Sequence, residues 1–280
     1  MTSYDDIPYH YAAFKASHNS YDKAEDLATQ LSWDPTTPSR FGCRGLELDL
    51  HQDGNSNRWS VSHTGGYDPA PARQLASYLG NLRAWSEASP AHDPVTVHLD
   101  LKGAGQVASG ADLLDRYIDD ALGSGRLFRP GDLLGAGTDL VAAASKGWPT
   151  LGEMRGRFLL CLTGKESWKR QYSERQPRVR LSFADLELDA DSSAPNPTTG
   201  SRVFLNLHYA PPLTLKPALK WIRENQAFVS RVYRINSQTA WAHVQPPGAN
   251  IIATDTLTGG AWAAVGSEPF ASTLVEHAGV

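Results

Sequence analysis

A single-domain (β/α)8 barrel of the TIM type is the fold this sequence predicts, and three observations carry it. Eight runs with strand character alternate, for the most part, with helical stretches along 280 residues. Acidic, basic and histidine side chains stand at the carboxyl ends of several of those runs, where such a barrel assembles its active site. No Gly-x-Gly-x-x-Gly follows the first run, so the runner-up, an open doubly wound sheet, lacks its nucleotide-binding turn. With 41% apolar residues and no linker, the chain can bury one full core as a single domain over 1–280.

The first strand is read in Ala12-Ala13-Phe14-Lys15-Ala16-Ser17, ending where His18-Asn19-Ser20 turns polar. Residues 42–51 form the second: Leu46-Glu47-Leu48-Asp49-Leu50 alternates apolar and acidic residues with the period of a strand whose faces meet different surroundings. A turn at Asp53-Gly54 returns the chain as a short extended segment, Trp59–His63. Leu75, Tyr78, Leu79, Leu82 and Trp85 recur at helical spacing, which predicts an amphipathic helix over 72–87. Val95–Lys102 is the next strand, with His98, Asp100 and Lys102 on one face and Gly103 ending it. Asp112 reads as the cap of a helix carrying Leu113, Leu114, Tyr117, Ile118 and Leu122. Residues 123–150 are Gly-rich and read as an irregular connection. Five further β-like runs follow, Arg157–Thr163, Arg180–Leu186, Val203–Leu207, Val229–Ile235 and Ile251–Asp255, with helix clearest around Pro217–Gln226.

Glu47, Asp49 and His51 therefore share a strand face, and three leucines hold the other face to a core. If the acidic face also looks inward, its carboxylates lose hydration and repel each other, and a cation between them relieves both costs. The bland alternative is a solvated acidic face. With Asp100 adding a third carboxylate and Asn19 an amide oxygen, the ligand set is hard and suits Ca²⁺ or Mg²⁺ rather than zinc. His18 and His63 come from different segments and suit a base and an acid on opposite sides of a reacting phosphorus, while Lys102 offsets phosphate charge. His98 and His208 also suit a core role.

Ala16-Ser17-His18-Asn19-Ser20-Tyr21, Gly42-Cys43-Arg44 with Leu46-Glu47-Leu48-Asp49, the Asp53-Gly54 turn and Ser62-His63-Thr64 resemble the X region of phosphatidylinositol-specific phospholipases C. Asn19 after the first histidine, together with the Glu-x-Asp pair, makes the calcium-dependent branch the closer match. The resemblance is dense up to about residue 105 and looser at Met154–Lys165 and at Ser230-Arg231-Val232-Tyr233. It implies a TIM-type barrel that cleaves an inositol phospholipid to diacylglycerol and a cyclic or free inositol phosphate. By matching position it makes His18 the group that stabilises the phosphorane and His63 the acid at the diacylglycerol oxygen. Asn19, Glu47 and Asp49 would hold Ca²⁺, with Asp100 standing where eukaryotic relatives use Glu. Lys165 and Arg231 would meet phosphate, and Tyr233 would pack on the inositol ring. Leu99-Asp100-Leu101-Lys102 also resembles the Asp-Leu-Lys of sphingomyelinase D and the glycerophosphodiesterases, which mostly use Mg²⁺. A catalytically silent head-group-binding barrel is the alternative from another class.

A net charge of −4 gives no general attraction to nucleic acid or an anionic membrane, so lipid contact at a membrane surface is expected to be local. No apolar run approaches the roughly 20 residues of a membrane span, and the start lacks the regions of a signal peptide. A mature secreted form is expected, with a cytoplasmic protein as the alternative, and a monomer in either case. Cys43 and Cys161 read as buried free thiols, a disulfide between them being the alternative.

Overall fold

The computed structural model describes residues 4–54, 56–103, 110–174, 176–188, 200–211, 215–225 and 227–274. In chain order the elements are β1 (Ala12–Ser17), α1 (Leu27–Leu31), β2 (Gly45–Gln52), β3 (Trp59–Val61), α2 (Leu75–Ala88), β4 (Val95–Gly103), α3 (Gly110–Ala121), α4 (Pro130–Leu134) and α5 (Leu140–Ala144). The second half continues with β5 (Phe158–Gly164), α6 (Glu166–Glu174), β6 (Ser182–Leu188), β7 (Phe204–His208), α7 (Lys216–Glu224), β8 (Val229–Tyr233), α8 (Gln238–Val244), β9 (Ile251–Thr254) and β10 (Phe270–Ser272).

Eight strands, β1, β2, β4, β5, β6, β7, β8 and β9, pair in parallel in that order and close where β9 meets β1 and β1 meets β2. The predicted TIM-type barrel is borne out. The β1–β2 seam is thin, a single pairing of Ala16 with Gly45. A Cβ built at Gly45 would stand 2.5 Å from that of Ala16, so only glycine lets the barrel close there. The remaining two strands add antiparallel edges, β3 on β2 and β10 on β1.

Alternation along the strands divides the core. Leu46, Leu48 and Leu50 of β2, with Val97, Leu99 and Leu101 of β4, face outward and pack on Leu75, Leu79 and Leu82 of α2 and Leu114 and Ile118 of α3. The inward residues form layers. Tyr9, Trp148, Phe183 and Phe204 cluster at the amino-terminal end, with Phe183 and Phe204 rings 5.2 Å apart edge to face, and Tyr9 bonds Thr96 there. His98 lies one layer up against Phe204, where burial keeps its imidazole neutral, so it is a core residue. Asp100 stands above it at the mouth.

Several sequence expectations are corrected locally. The helix expected to start after Asp112 begins at Gly110, which puts Asp112 inside its first turn, where a carboxylate complements the helix dipole. Within 123–150, two short helices replace part of the irregular connection. Strand runs shift by one to three residues, and α1, α6 and α8 go beyond what the pattern predicts. Both cysteines are free and buried, so the disulfide alternative is set aside.

Candidate active site

At the carboxyl ends of the strands a cavity of about 250 Å³ is lined by His18, Asn19, Glu47, His63, Asp100, Lys102, Thr163, Gly164, Glu187, Asn206, Arg231, Tyr233 and Arg234. His18, Asn19, Glu47, His63, Asp100, Lys102, Arg231 and Tyr233 are site residues that the sequence singles out, and the strand register brings them together. Asp49 is buried beneath them. Lys165, exposed just beyond β5, is not among the lining residues, and His51 lies past a register shift between Leu50 and His51.

Glu47, Asp49 and Asp100 offer carboxylate oxygens that all lie within 4.8 Å of one another. Parallel pairing of β2 with β4 sets Asp49 directly opposite Asp100. Burial and the Asp100 charge push the Asp49 carboxyl up, against the pull of Lys102. Burial acts upward on Glu47 as well, but Arg231 and His18 outweigh it and hold that carboxyl below its ordinary range. Lys102 Nζ lies 2.5 Å from Asp100 Oδ2 and 3.3 Å from Asp49 Oδ2, and these carboxylates raise its pKa in spite of burial. The other oxygens, Asp49 Oδ1 and Asp100 Oδ1, are buried with no hydrogen-bond partner among the described residues. Two orphaned carboxylate oxygens on facing strands are what a hard divalent cation would satisfy, so the residues present fit Ca²⁺. Asn19 adds its side-chain amide oxygen, which accepts from the Tyr21 hydroxyl at 3.3 Å, from a left-handed turn at φ 50° whose backbone N–H donates to Glu47 Oε2 at 3.0 Å. Gly164, at φ +83°, completes the wall: a Cβ there would collide with Asp100 Oδ1.

Each histidine of the pair carries its own carboxylate. His18 Nδ1 lies 3.1 and 3.2 Å from the two oxygens of Asp255, and its Nε2 is 3.7 Å from Glu47 Oε2. His63 Nδ1 lies 2.9 Å from Asp49 Oδ2, with a side chain 58% exposed. An ionised carboxylate only accepts, so it fixes the proton on Nδ1 in both rings and leaves Nε2 for exchange with a substrate. Burial opposes ionisation of Asp255, yet hydrogen bonds from His18 and Lys23 hold its carboxyl well below the usual range.

Arg231, almost wholly buried, has Nη2 2.8 Å from Glu47 Oε1, and its Nη1 donates to Asn206 Oδ1 at 3.1 Å. Its guanidinium lies 5.1 Å from the centre of the Tyr233 ring. Tyr233 stacks with His18 at 6.1 Å and with His208 at 5.0 Å. Burial first, and then Glu187, push the Tyr233 phenol up to about 12.

A family model described as phosphoinositide phospholipase C, Ca²⁺-dependent, matches residues 63–196. This is the family that the sequence motifs resemble. The calcium-dependent phosphoinositide phospholipase C match starts at His63, so the segment holding His18, Asn19, Glu47 and Asp49 lies before it. No curated protein matches the chain.

Solved structures give the same direction for the fold. A calcium-dependent phosphoinositol-specific phospholipase C from a Gram-negative Pseudomonas species matches over 97% of both chains at 22% identity, TM-score 0.75. The same enzyme described as a myo-inositol complex matches over 96% of both at 21% identity, TM-score 0.76. A Ca²⁺-dependent phosphatidylinositol-specific phospholipase C from Streptomyces antibioticus covers 89% of this chain and 94% of its own, at 18% identity and TM-score 0.69.

Asp255, Asn206, Thr163, Glu187 and Arg234 belong to this cavity or to its histidine, and the sequence pattern does not single them out. Asp255 does carry a signal. It is the polar residue ending the last predicted strand, the position at which the other site residues stand.

Proposed function

We propose that this chain is a Ca²⁺-dependent phosphodiesterase that cleaves phosphatidylinositol at a membrane surface, giving diacylglycerol and a cyclic or free inositol phosphate. The observation that carries the reading is the meeting, in one cavity, of two carboxylate-paired histidines with three convergent carboxylates. Glu47, Asp49, Asp100 and Asn19 would hold the ion. When bound, Ca²⁺ acidifies the attacking hydroxyl and offsets charge on the equatorial phosphate oxygens.

The chain's own groups supply the proton transfers. His18, with Nδ1 tied to Asp255, presents Nε2 as the base toward the attacking inositol hydroxyl and, once protonated, stabilises the phosphorane. His63, with Nδ1 tied to Asp49, delivers a proton from Nε2 to the departing diacylglycerol oxygen. Arg231 has donors beyond its Asn206 bond to offer a phosphate oxygen, and Lys102 adds positive charge beside it. Tyr233 offers a flat face to a sugar-like ring such as the myo-inositol bound by the Pseudomonas enzyme. Lys165 would reach phosphate only from the rim. Secretion and a monomeric working state complete the proposal, tested by assaying culture supernatant and by size-exclusion chromatography.

The deciding experiment incubates the purified protein with phosphatidylinositol in Ca²⁺ and in EDTA and identifies the head-group product. Inositol phosphate formed only with Ca²⁺ supports the reading. Preferred hydrolysis of choline or glycerol diesters, or Mg²⁺ replacing Ca²⁺ fully, overturns it in favour of the glycerophosphodiesterase type.

A further inference from the structure

A row of polar side chains runs from the cavity lining into the inside of the barrel, and the reaction described above uses only Glu47 and Arg231 of them. Glu47, Arg231, Asn206, Thr163, Asp185 and Lys169 are each 4% exposed or less. Arg231 Nη1 donates to Asn206 Oδ1 at 3.1 Å, and Asn206 Nδ2 donates to Thr163 Oγ1 at 3.1 Å. Deeper in, Asp185 Oδ1 accepts from Lys169 Nζ at 2.5 Å, while Asp185 Oδ2 is buried with no hydrogen-bond partner among the described residues. Lys169 comes from α6, outside the barrel. It reaches in because β5 and β6 pair only from Leu160 with Ser182 to Leu162 with Ala184, and the strands are unpaired at Thr163 and Asp185.

The direction of this row is forced. Arg231 and Lys169 can only donate, and an ionised Asp185 can only accept. Facing Arg231, Asn206 must present its oxygen, which leaves its NH₂ to donate to Thr163 Oγ1. A hydrogen-bond row with one possible polarity has no low-energy flipped state, so every member is held in a single rotamer. We propose that Asn206 and Thr163 are positioning residues, a one-way relay that locks Arg231, and through it the Glu47 carboxylate, in the geometry that receives ion and head group. The inference rests on the proposed Ca²⁺-dependent reading of the same site.

Thr163→Val removes the hydroxyl at nearly constant volume, and Thr163→Ser keeps it. Outer-shell partners of metal ligands typically carry about 10–100-fold in metal affinity. Calorimetric titration should therefore show Ca²⁺ binding at least ~10-fold weaker in Thr163→Val and within ~2-fold of the unmodified protein in Thr163→Ser. With phosphatidylinositol, KM should rise more than kcat falls, and a crystal structure of Thr163→Val should show the 2.8 Å Arg231–Glu47 pair lengthened. Equal Ca²⁺ affinity in the two variants, or an unmoved Arg231, overturns the relay. If the unmodified protein binds no Ca²⁺, the ion reading fails on its own, and the variant's crystal structure still judges the relay. Should Thr163→Val not fold, Asn206→Ala takes its place in the same three measurements, and the same outcomes support or overturn the relay.

Discussion

His18 and Asp255 stand 3.1 Å apart although 237 residues separate them in sequence. Parallel pairing of β1 with β9 sets Ser17 beside Thr254, so the next residue of each strand emerges at the mouth next to its counterpart. Lys23 and Asn236 hold the same carboxylate at 2.6 and 2.7 Å, which fixes Asp255 as an acceptor for His18.

Asp255→Asn tests that role. An amide in this place can donate to Nδ1 and so favour the wrong imidazole tautomer. The expected outcome is a fall in kcat of ~10²-fold or more with Ca²⁺ affinity unchanged. Steady-state kinetics beside calorimetry check it, and an undiminished kcat would leave His18 without a need for its carboxylate.

Acid sensitivity follows from the same group. A carboxyl held below its unfolded value adds stability above about pH 4, and that stability is lost as pH falls through the folded pKa. The unmodified protein should therefore be more stable than Asp255→Asn near neutrality, and the gap should begin to narrow below about pH 4. Urea unfolding midpoints between about pH 3 and pH 7 measure it. A gap that is constant with pH would mean the variant acts by packing alone.

The barrel itself is readable because β2 and β4 alternate so regularly and because site residues stop the strands. Helix α6 escapes since its inward stripe, Trp168, Lys169, Tyr172 and Ser173, replaces apolar residues with a lysine and a serine. The lysine is buried there because Asp185 awaits it from another element, a pairing no local pattern reveals, with Glu166 of its own helix 3.5 Å away as a second partner. The Glu-x-Asp pair and the two histidines announce the mouth. Asn206 and Thr163 do not stand out, because an amide and a hydroxyl inside ordinary strands become site residues only through the neighbours that barrel closure gives them. Lys165 illustrates the converse, a charged residue past a strand end that lies outside the cavity lining.

Gly164→Ala is expected to weaken both fold and site. Its positive φ costs a non-glycine residue about 1–2 kcal/mol, and the added methyl would press on Asp100 Oδ1. Lower unfolding free energy together with weaker Ca²⁺ binding is the predicted pair of results. Destabilisation without a change in Ca²⁺ affinity would place Asp100 outside the ligand set.

Lys102→Met separates two consequences of one ammonium. Its contacts with Asp100 and Asp49 compete with any cation those oxygens hold, so its removal should tighten Ca²⁺ binding while lowering stability in EDTA. Activity at saturating Ca²⁺ should still fall, since positive charge near the phosphate is lost. Unaltered Ca²⁺ affinity would show that the lysine already stands clear of the ion.

Tyr233 carries the head-group prediction. Its ring forms a layered wall with His18 at 6.1 Å and His208 at 5.0 Å, interplanar angles 21° and 15°, while its hydroxyl donates to Glu187 Oε1 at 3.4 Å. With the phenol pushed up to about 12, that hydroxyl keeps its proton throughout the range in which the protein is assayed, so the group acts by shape and apolar contact rather than by proton transfer. Tyr233→Phe keeps the ring and should change KM for phosphatidylinositol by less than about 3-fold, the weight of one weak hydrogen bond. Tyr233→Ala removes the wall and should raise KM by ~10-fold or more. Since the side chain is only half-buried at the cavity edge, the variant's melting temperature should stay within a few degrees of the unmodified protein. Loss of activity in Tyr233→Phe equal to that in Tyr233→Ala would assign the effect to the Glu187 contact, and loss that merely tracks unfolding would return Tyr233 to the core.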